Sequence, residues 1–444
     1  MMASLLTHKV CYVISILCCG ISLAQAATPT VHTWTSRQGA KVMYVQTNAL
    51  PMLDIRVVFD AGSARDGEHP GLAQFTNALL TEGTADEDAQ TLASRVEAEG
   101  IQLGHGTYRD MAWVSARTLT AQPALRVAVD SLAQMLGMPR FASDSIAQIR
   151  QQLLVGLRQT AQSPGKVAAE RLYQALYGDH PYAHPISGTP ESLTKINRHD
   201  IQAFHRQYYV AANAVIALVG AIDRKTAEKI AEQVAARLQT GQAAPALSTP
   251  VSITEQQVSV DFPASQSHLY LGRLGVSRHD PDYLPLYVGN HILGGSTLNS
   301  LLGEAVRHQH GLSYSVYSYF RPLRATGPFV IVAQTQNAQA HRALQVMQAV
   351  LQQFMAQGPT QAQLQAAKQY LIGSFPSSVA SNHKIVKYIA MMGLYDLPLD
   401  WLVTLPDKIA AVTTAQIRSA FRRRIQSQEQ ITVIAGAPES SQTR

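Results

Sequence analysis

The sequence has almost no cysteine, and this lack excludes two ways of stabilising a protein of its size. All three cysteines, Cys11, Cys18 and Cys19, lie within the first 19 of its 444 residues. The rest of the chain therefore has neither disulfide bonds nor thiolate metal ligands. Hydrophobic residues make up 46% of the sequence, so we expect the protein to be held together by its hydrophobic cores. At this length, two or more domains are expected.

Charge is also sparse and evenly spread. Charged residues make up 15% of the sequence, the formal net charge is +6, and no run of five or more basic residues occurs. A nucleic-acid-binding surface calls for a concentrated basic stripe with aromatic residues between the charges. We therefore expect no nucleic-acid partner.

Long apolar runs are missing after the first 26 residues. Residues 10–23 form an apolar stretch that follows Lys9 and is too short for a membrane span. Ala24-Gln25-Ala26 then supplies the small residues of a cleavage site. We interpret residues 1–26 as a signal peptide. We expect the mature protein in the bacterial periplasm, with no membrane span.

The remaining chain consists of two halves of similar design. In each half a predicted amphipathic helix leads to an apolar strand that ends in glycine. Residues 193–208 lead to 214–220, and residues 412–423 lead to 431–436. A strand–helix order recurring about 215 residues later indicates an internal duplication.

The hydrophobic pattern favours an α+β fold over a doubly wound parallel sheet. Residues 101–107 and 112–118 alternate in polarity across a four-residue turn, which predicts an antiparallel hairpin. A stretch rich in Pro, Gly and Ala separates the halves. We predict an N-terminal domain at 30–236, a linker at 237–252, a C-terminal domain at 253–437 and a tail at 438–444.

Several motifs carry a resemblance to a known family. The segment GLAQFTNALL at 71–80 precedes Glu82-Gly83-Thr84, and the second half contains LGGS at 293–296 and GLSY at 311–314. Together these motifs resemble the two-domain bacterial (M16B) branch of the M16, or pitrilysin-like, peptidases, over about residues 30–437. The resemblance implies two homologous LuxS/MPP-like domains, each an antiparallel sheet packed with helices.

The chain departs from the family's zinc motif at every chemical group. Active members carry His, Glu and His in an H-x-x-E-H helix, where this sequence has Gln74, Asn77 and Ala78. The family's third ligand, a Glu, should fall near Gly156, where no carboxylate occurs. His180 and His184 do not replace the site, because Pro181 and Pro185 interrupt any helix that would align them. We expect no metal and no cofactor in this chain.

The family's Arg/Tyr pair, in contrast, is present. Arg307 and Tyr314 flank Gly311, which is suited to end a helix and start a strand. The resemblance implies that Arg307 binds substrate and that Tyr314 is catalytic, donating a hydrogen bond to the oxyanion of the tetrahedral intermediate. Gly294 and Gly295 are predicted to let an extended peptide pass close to the backbone. An edge strand containing Tyr317 and Tyr319 is expected to accept a peptide by β-addition.

Three functions follow from these observations. The first is the non-zinc subunit of a heterodimeric periplasmic peptidase, inactive alone, whose partner is a homologue carrying zinc on its own H-x-x-E-H. The second is a peptide-binding or scaffold protein without enzymatic activity. The third, an autonomous serine enzyme, is disfavoured because no G-x-S-x-G motif occurs and Gly62-Ser63-Ala64 lacks the second glycine.

Overall fold

The first half of the chain forms a six-stranded sheet with helices. The computed structural model describes residues 30–251, 254–296, 299–425 and 429–437. The strands are β1 (His32–Thr35), β2 (Lys41–Gln46), β3 (Met52–Phe59), β4 (Gln102–Thr107), β5 (Ala112–Leu119) and β6 (Ala214–Gly220). The helices are α1 (Leu72–Leu79), α2 (Ala89–Ala98), α3 (Ala124–Gly137), α4 (Ser143–Ala161), α5 (Pro164–Tyr177), α6 (Pro190–Lys195), α7 (Arg198–Tyr208) and α8 (Arg224–Ala235).

The second half forms a five-stranded sheet with a similar order of elements. Its strands are β7 (Gln256–Asp261), β8 (Gln266–Leu274), β9 (Ser315–Phe320), β10 (Pro328–Gln336) and β11 (Ile431–Gly436). Its helices are α9 (Tyr283–Asn290), α10 (Ala340–Gln357), α11 (Gln361–Ser378), α12 (Asn382–Leu394), α13 (Trp401–Ala411) and α14 (Thr414–Arg424). Two π-helical turns, His291–Gly295 and Gly303–Gln309, lie between α9 and β9.

The two sheets repeat one topology, which confirms the α+β prediction. The strand orders are β1-β2-β6-β3-β5-β4 and β7-β11-β8-β10-β9. The predicted hairpin is the antiparallel pair β4–β5, and the glycine-ending strands are β6 and β11. The sheets are not purely antiparallel, because β2 pairs with β6, and β7 with β11, in parallel. Such parallel pairs need long crossovers, which the intervening helices supply.

One predicted helix is in fact two. Residues 193–208 are divided between α6 and α7. The side chain of Asn197 accepts hydrogen bonds from the backbone N–H groups of His199 (2.8 Å) and Asp200 (3.3 Å). The Asp200 carboxylate accepts in return from the Asn197 N–H (2.9 Å), which completes a capping box. Asn197 therefore starts a new helix where the amphipathic pattern alone suggested continuity.

A helix from each half packs on the sheet of the other half. Helix α12 of the second half packs on β2, β3 and β6 of the first, burying Ile389 against strand residues such as Val58 and Val219. Helix α5 of the first half packs in the same way on β8 and β11, burying Leu172. Each fully buried aliphatic side chain contributes about 1.5–3 kcal/mol. The two halves are therefore joined by apolar cores as well as by the connecting segment.

A buried carboxylate reinforces this junction. Asp110, which is 1% exposed, accepts hydrogen bonds from the Tyr182 hydroxyl of the first half and from the Tyr395 hydroxyl of the second (2.7 Å). It also accepts from the backbone N–H of Arg324 at 2.7 Å. The Arg324 guanidinium lies 3.2 Å from the carboxylate of Asp60. Charged and polar groups of both halves thus meet in one network.

The predicted domain bounds stay predictions. Residues 240–250 of the linker have no regular secondary structure, and the Ala244 N–H donates to the Asn213 side chain at 3.0 Å. The predicted signal peptide and tail lie outside the described residues. Within the described ranges, no helix is both long and apolar enough to cross a bilayer.

Candidate active site

Helix α1 holds the three positions where the resemblance places the zinc motif. Its start is fixed by Asp66, whose carboxylate accepts hydrogen bonds from the backbone N–H groups of Gly71 and Ala73, both at 2.7 Å. Burial raises the pKa of Asp66 to about 8, against the opposing effect of these two donors. Phe75 and Leu79 of this helix are fully buried and anchor it in the core.

Asn77 occupies the position of the catalytic base, but its side chain is hydrogen-bonded to other residues of the fold. It is 1% exposed, and its Nδ2 donates to the Trp113 carbonyl (3.3 Å) and to the Tyr209 hydroxyl (3.2 Å). Its Oδ1 lies 3.2 Å from Nδ1 of His105 on strand β4. The amide is thus committed to a structural network, and it has no carboxylate with which to accept a proton from water.

The other degenerate positions offer nothing in place of zinc ligands. Gln74 and Ala78 are half-buried on α1, and Gly156 is exposed on α4, with open space where a side chain would project. The only carboxylate on α4 is Asp144, in its first turn. Among the described residues, no group of three or more His, Asp or Glu side chains is arranged to hold a metal ion.

His205, on α7, is neutral in the folded protein. Its Nε2–H donates to the Leu136 carbonyl at 2.8 Å, and its ring stacks on Tyr209 at 5.1 Å. Burial is the main cause that lowers the pKa of His205 to about 4, and Arg206 adds a smaller effect in the same direction. His205 is therefore a packed core histidine and not a metal ligand or proton shuttle.

The free energy of unfolding is expected to fall as the pH drops from about 6.5 to 4. The unfolded chain protonates His205 near pH 6.5 and the folded chain only near pH 4, so the stabilisation present above pH 6.5 is lost as pH falls through 4. Replacing His205 by Gln should remove up to about 3 kcal/mol of this pH dependence. Urea denaturation across pH 4–7 measures it. The exposed His199 on the same helix, changed to Gln, is the control, and an equal effect of both variants would contradict the prediction.

Arg307 lies at the end of the second π-helical turn. Gly311 adopts a left-handed conformation (φ +61°), and its N–H donates to the Arg307 carbonyl at 3.1 Å, which ends the turn as predicted for a glycine there. The Arg307 side chain is half-buried and makes no hydrogen bond or ion pair within the described part of the chain. Its guanidinium donors are therefore available to a ligand.

Tyr314 lies just before strand β9 and is 90% exposed. Large aromatic side chains are seldom this exposed unless they serve a contact outside the fold. The neighbouring Ser313 is buried and donates to the Gln334 carbonyl at 2.7 Å, so the backbone beneath Tyr314 is fixed. The roles of Arg307 and Tyr314 remain predictions.

The two glycines predicted to pass a peptide have different environments. Gly294 is buried, and a Cβ there would come within 2.7 Å of the Ser318 backbone nitrogen. Gly295 is exposed and lines a cavity. Gly294 thus allows close packing of the π-helical turn on β9, whereas Gly295 faces the solvent.

Strand β9 is the edge strand of its sheet, but Ser318 in its middle is already hydrogen-bonded to Asn290. The Asn290 side chain donates to the Ser318 carbonyl (3.0 Å) and accepts from the Ser318 hydroxyl (2.7 Å). A peptide adding along the whole of β9 would have to displace these bonds. Asn290 was not predicted from the sequence. The available signal was a polar residue at the end of an apolar helix, followed by Gly294 and Gly295.

Comparisons with known proteins agree with this architecture. The family profile described as insulinase (peptidase family M16) matches residues 41–190, and that described as peptidase M16 inactive domain matches residues 195–371. A crystal structure of a peptidase M16 inactive domain from Pseudomonas fluorescens is 40% identical, with a TM-score of 0.89. The match covers 91% of this chain and 97% of that one.

The curated relatives include proteins described as zinc proteases and one described as a non-peptidase homolog. A protein of Helicobacter pylori described as the non-peptidase homolog YmxG is 26% identical over 414 residues, covering 91% of this chain and 93% of that protein. A protein of Bacillus subtilis described as the uncharacterized zinc protease YmxG is 25% identical over 354 residues, covering 80% and 85% respectively. This chain is similar to both, and its α1 positions lack the residues that bind zinc.

Proposed function

The chain belongs to the M16 peptidase family, and from this premise we propose that it is the non-zinc subunit of a heterodimeric peptidase. It supplies Arg307 and Tyr314 to a partner chain whose own H-x-x-E-H motif holds zinc and the general base. The substrate is a peptide, and the place of action is the periplasm. The chain alone does not hydrolyse peptides.

One contrast within the structure carries the proposal. Where a general base would stand, Asn77 is buried and held by Tyr209 and Trp113. In the second half, the side chains of Arg307 and Tyr314 make no hydrogen bond or ion pair with a described residue. An Arg/Tyr pair that is useful to peptide hydrolysis thus persists without a metal beside it in the chain.

The chemistry of the pair fits the transition state of peptide hydrolysis. A guanidinium fork binds backbone carbonyls or a carboxylate through two parallel hydrogen bonds. A tyrosine hydroxyl can donate to the oxyanion that forms when water attacks the scissile carbonyl. The partner's zinc would polarise that carbonyl and activate the water, a role for which Gln74, Asn77 and Ala78 of this chain provide no zinc motif.

A second candidate is a peptide-binding or scaffold protein without catalysis. The description of the H. pylori relative as a non-peptidase homolog favours it. This candidate needs no zinc-bearing partner, and it predicts peptide binding without turnover.

Native purification distinguishes the two candidates. The tagged chain is isolated from the periplasm of its own cells, and the proteins that co-purify are identified by mass spectrometry. The heterodimer predicts an equimolar M16 homologue with an H-x-x-E-H motif and one zinc per pair. Recovery of the chain alone, or only with unrelated proteins, would favour the scaffold.

A further inference from the structure

A cavity of about 630 Å³ lies in the second half, between α9, the first π-helical turn, the end of β9 and α11. We propose that this cavity binds the free C-terminal carboxylate of a peptide, together with its last, apolar or aromatic side chain. This proposal deepens the proposed function by naming a substrate class, and it rests on that function only for its biological meaning.

The charge of the cavity selects an anion. Arg278 and Arg321 both line it, and neither forms an ion pair with a carboxylate among the described residues. Nη2 of Arg278 donates to the Pro322 carbonyl at 3.3 Å, and the guanidinium lies 5.7 Å from the ring centroid of Tyr283 and 5.1 Å from that of Tyr395. Among the described residues that line the cavity there is no Asp or Glu. The two guanidinium groups give the cavity a positive charge, and guanidinium N–H groups are good donors to a carboxylate.

The remaining walls are aromatic and therefore suit an apolar side chain beside that carboxylate. Tyr283, Tyr287 and Phe320 line the cavity with Tyr370, which is 61% exposed. The His291 ring stacks on Tyr370 at 4.8 Å. A cavity of this volume, with aromatic walls and a few convergent polar groups, is typical of a specific ligand site.

A second cavity adjoins the first and offers the peptide a path. It has a volume of about 750 Å³ and shares His291, Ser296 and Tyr370 with the first. Its polar lining includes Glu304 and His308 in place of the two arginines. A peptide whose carboxylate is bound by Arg278 and Arg321 would therefore extend past Tyr370 toward Glu304, away from the cationic end.

The cavity is separated from the proposed catalytic tyrosine by most of the length of strand β9. It contacts β9 at residues 318–320, whereas Tyr314 precedes the strand. Five residues of extended chain span roughly 17 Å. The cavity is therefore a site separate from Tyr314.

Binding to the purified chain alone tests the proposal without any partner. The probes are a fluorescein-labelled decapeptide that ends in Phe with a free carboxylate and the same decapeptide amidated at its C-terminus. Fluorescence anisotropy is expected to give a Kd at least about tenfold lower for the free acid. Arg321→Gln should abolish this preference, and Arg278→Gln should do the same. Arg342→Gln, on the exposed face of α10, should preserve it.

Three results would overturn the proposal. Equal affinity for acid and amide would exclude carboxylate recognition, and so would a preference that survives both Arg278→Gln and Arg321→Gln in variants with unchanged circular dichroism. N-acetylphenylalanine is the third probe, and it should compete only at concentrations at least about tenfold above those of the decapeptide. If it does not compete at any concentration, the cavity does not bind a terminal carboxylate with its side chain, and this is the third result. Because the partner is absent, none of these results depends on whether the heterodimer exists.

Discussion

Replacing Tyr314 by Phe is expected to lower kcat of the heterodimer about 100-fold while leaving KM almost unchanged. Removal of one donor to a tetrahedral oxyanion costs 10²–10³ in kcat, because the bond is made fully only in the transition state. Tyr314 is 90% exposed and supports no part of the core, so the variant should fold normally. Steady-state cleavage of a quenched fluorescent peptide by the reconstituted pair measures both constants.

Tyr108→Phe and Arg307→Ala complete that experiment. Tyr108 is also exposed but lies on the β4–β5 turn of the first half, so the same chemical change there should leave kcat unaltered. Arg307→Ala should lower kcat/KM about 10- to 100-fold, because one or two charge-assisted hydrogen bonds to substrate are lost. Unchanged kcat in Tyr314→Phe, or an equal loss in Tyr108→Phe, would remove Tyr314 from the mechanism.

Replacing Asp110 by Ala is expected to lower the free energy of unfolding by about 3–5 kcal/mol. The change leaves the hydroxyls of Tyr182 and Tyr395 and the N–H of Arg324 buried without an acceptor. Each buried donor left unpaired costs about 1–3 kcal/mol, and loss of one partner from a buried charged network costs about 3–5 kcal/mol. Urea denaturation at pH 7 provides the measurement.

Two further variants show whether the loss comes from the junction between the halves. Asp110→Asn keeps one acceptor oxygen and should lose about half as much stability as Asp110→Ala. Asp407→Ala, at an exposed position of α13, should change the free energy of unfolding by less than about 0.5 kcal/mol. A loss below about 1 kcal/mol in Asp110→Ala would mean that the network does not hold the halves together.

The sequence was sufficient to predict the repeated strands and the loss of the zinc motif. Strands β6 and β11 are runs of apolar residues that end in glycine, and every one of their residues is buried. Continuous apolar runs of this length predict strands covered on both faces. The missing zinc ligands were visible as residue types, since neither Gln74 nor Ala78 can ligate zinc as a histidine does.

The exchange of helices between the halves could not be predicted. The patterns of α5 and α12 show that each helix has an apolar face, but an apolar face does not specify which sheet it covers. The break at Asn197 was missed because periodicity outweighed a good N-cap residue. The cavity between α9, β9 and α11 depends on side chains that are up to about 100 residues apart, and only the fold brings them together.

The rate of peptide cleavage by each chain and by their mixture tests the central claim most directly. One quenched peptide is offered to this chain, to a zinc-bearing M16 homologue from the same cells, and to both together, with and without a chelator. We expect no cleavage by this chain alone. The mixture should cleave the peptide in a chelator-sensitive reaction, at a rate well above that of the homologue alone. Chelator-sensitive cleavage by this chain alone, or a mixture no faster than the homologue, would contradict the claim.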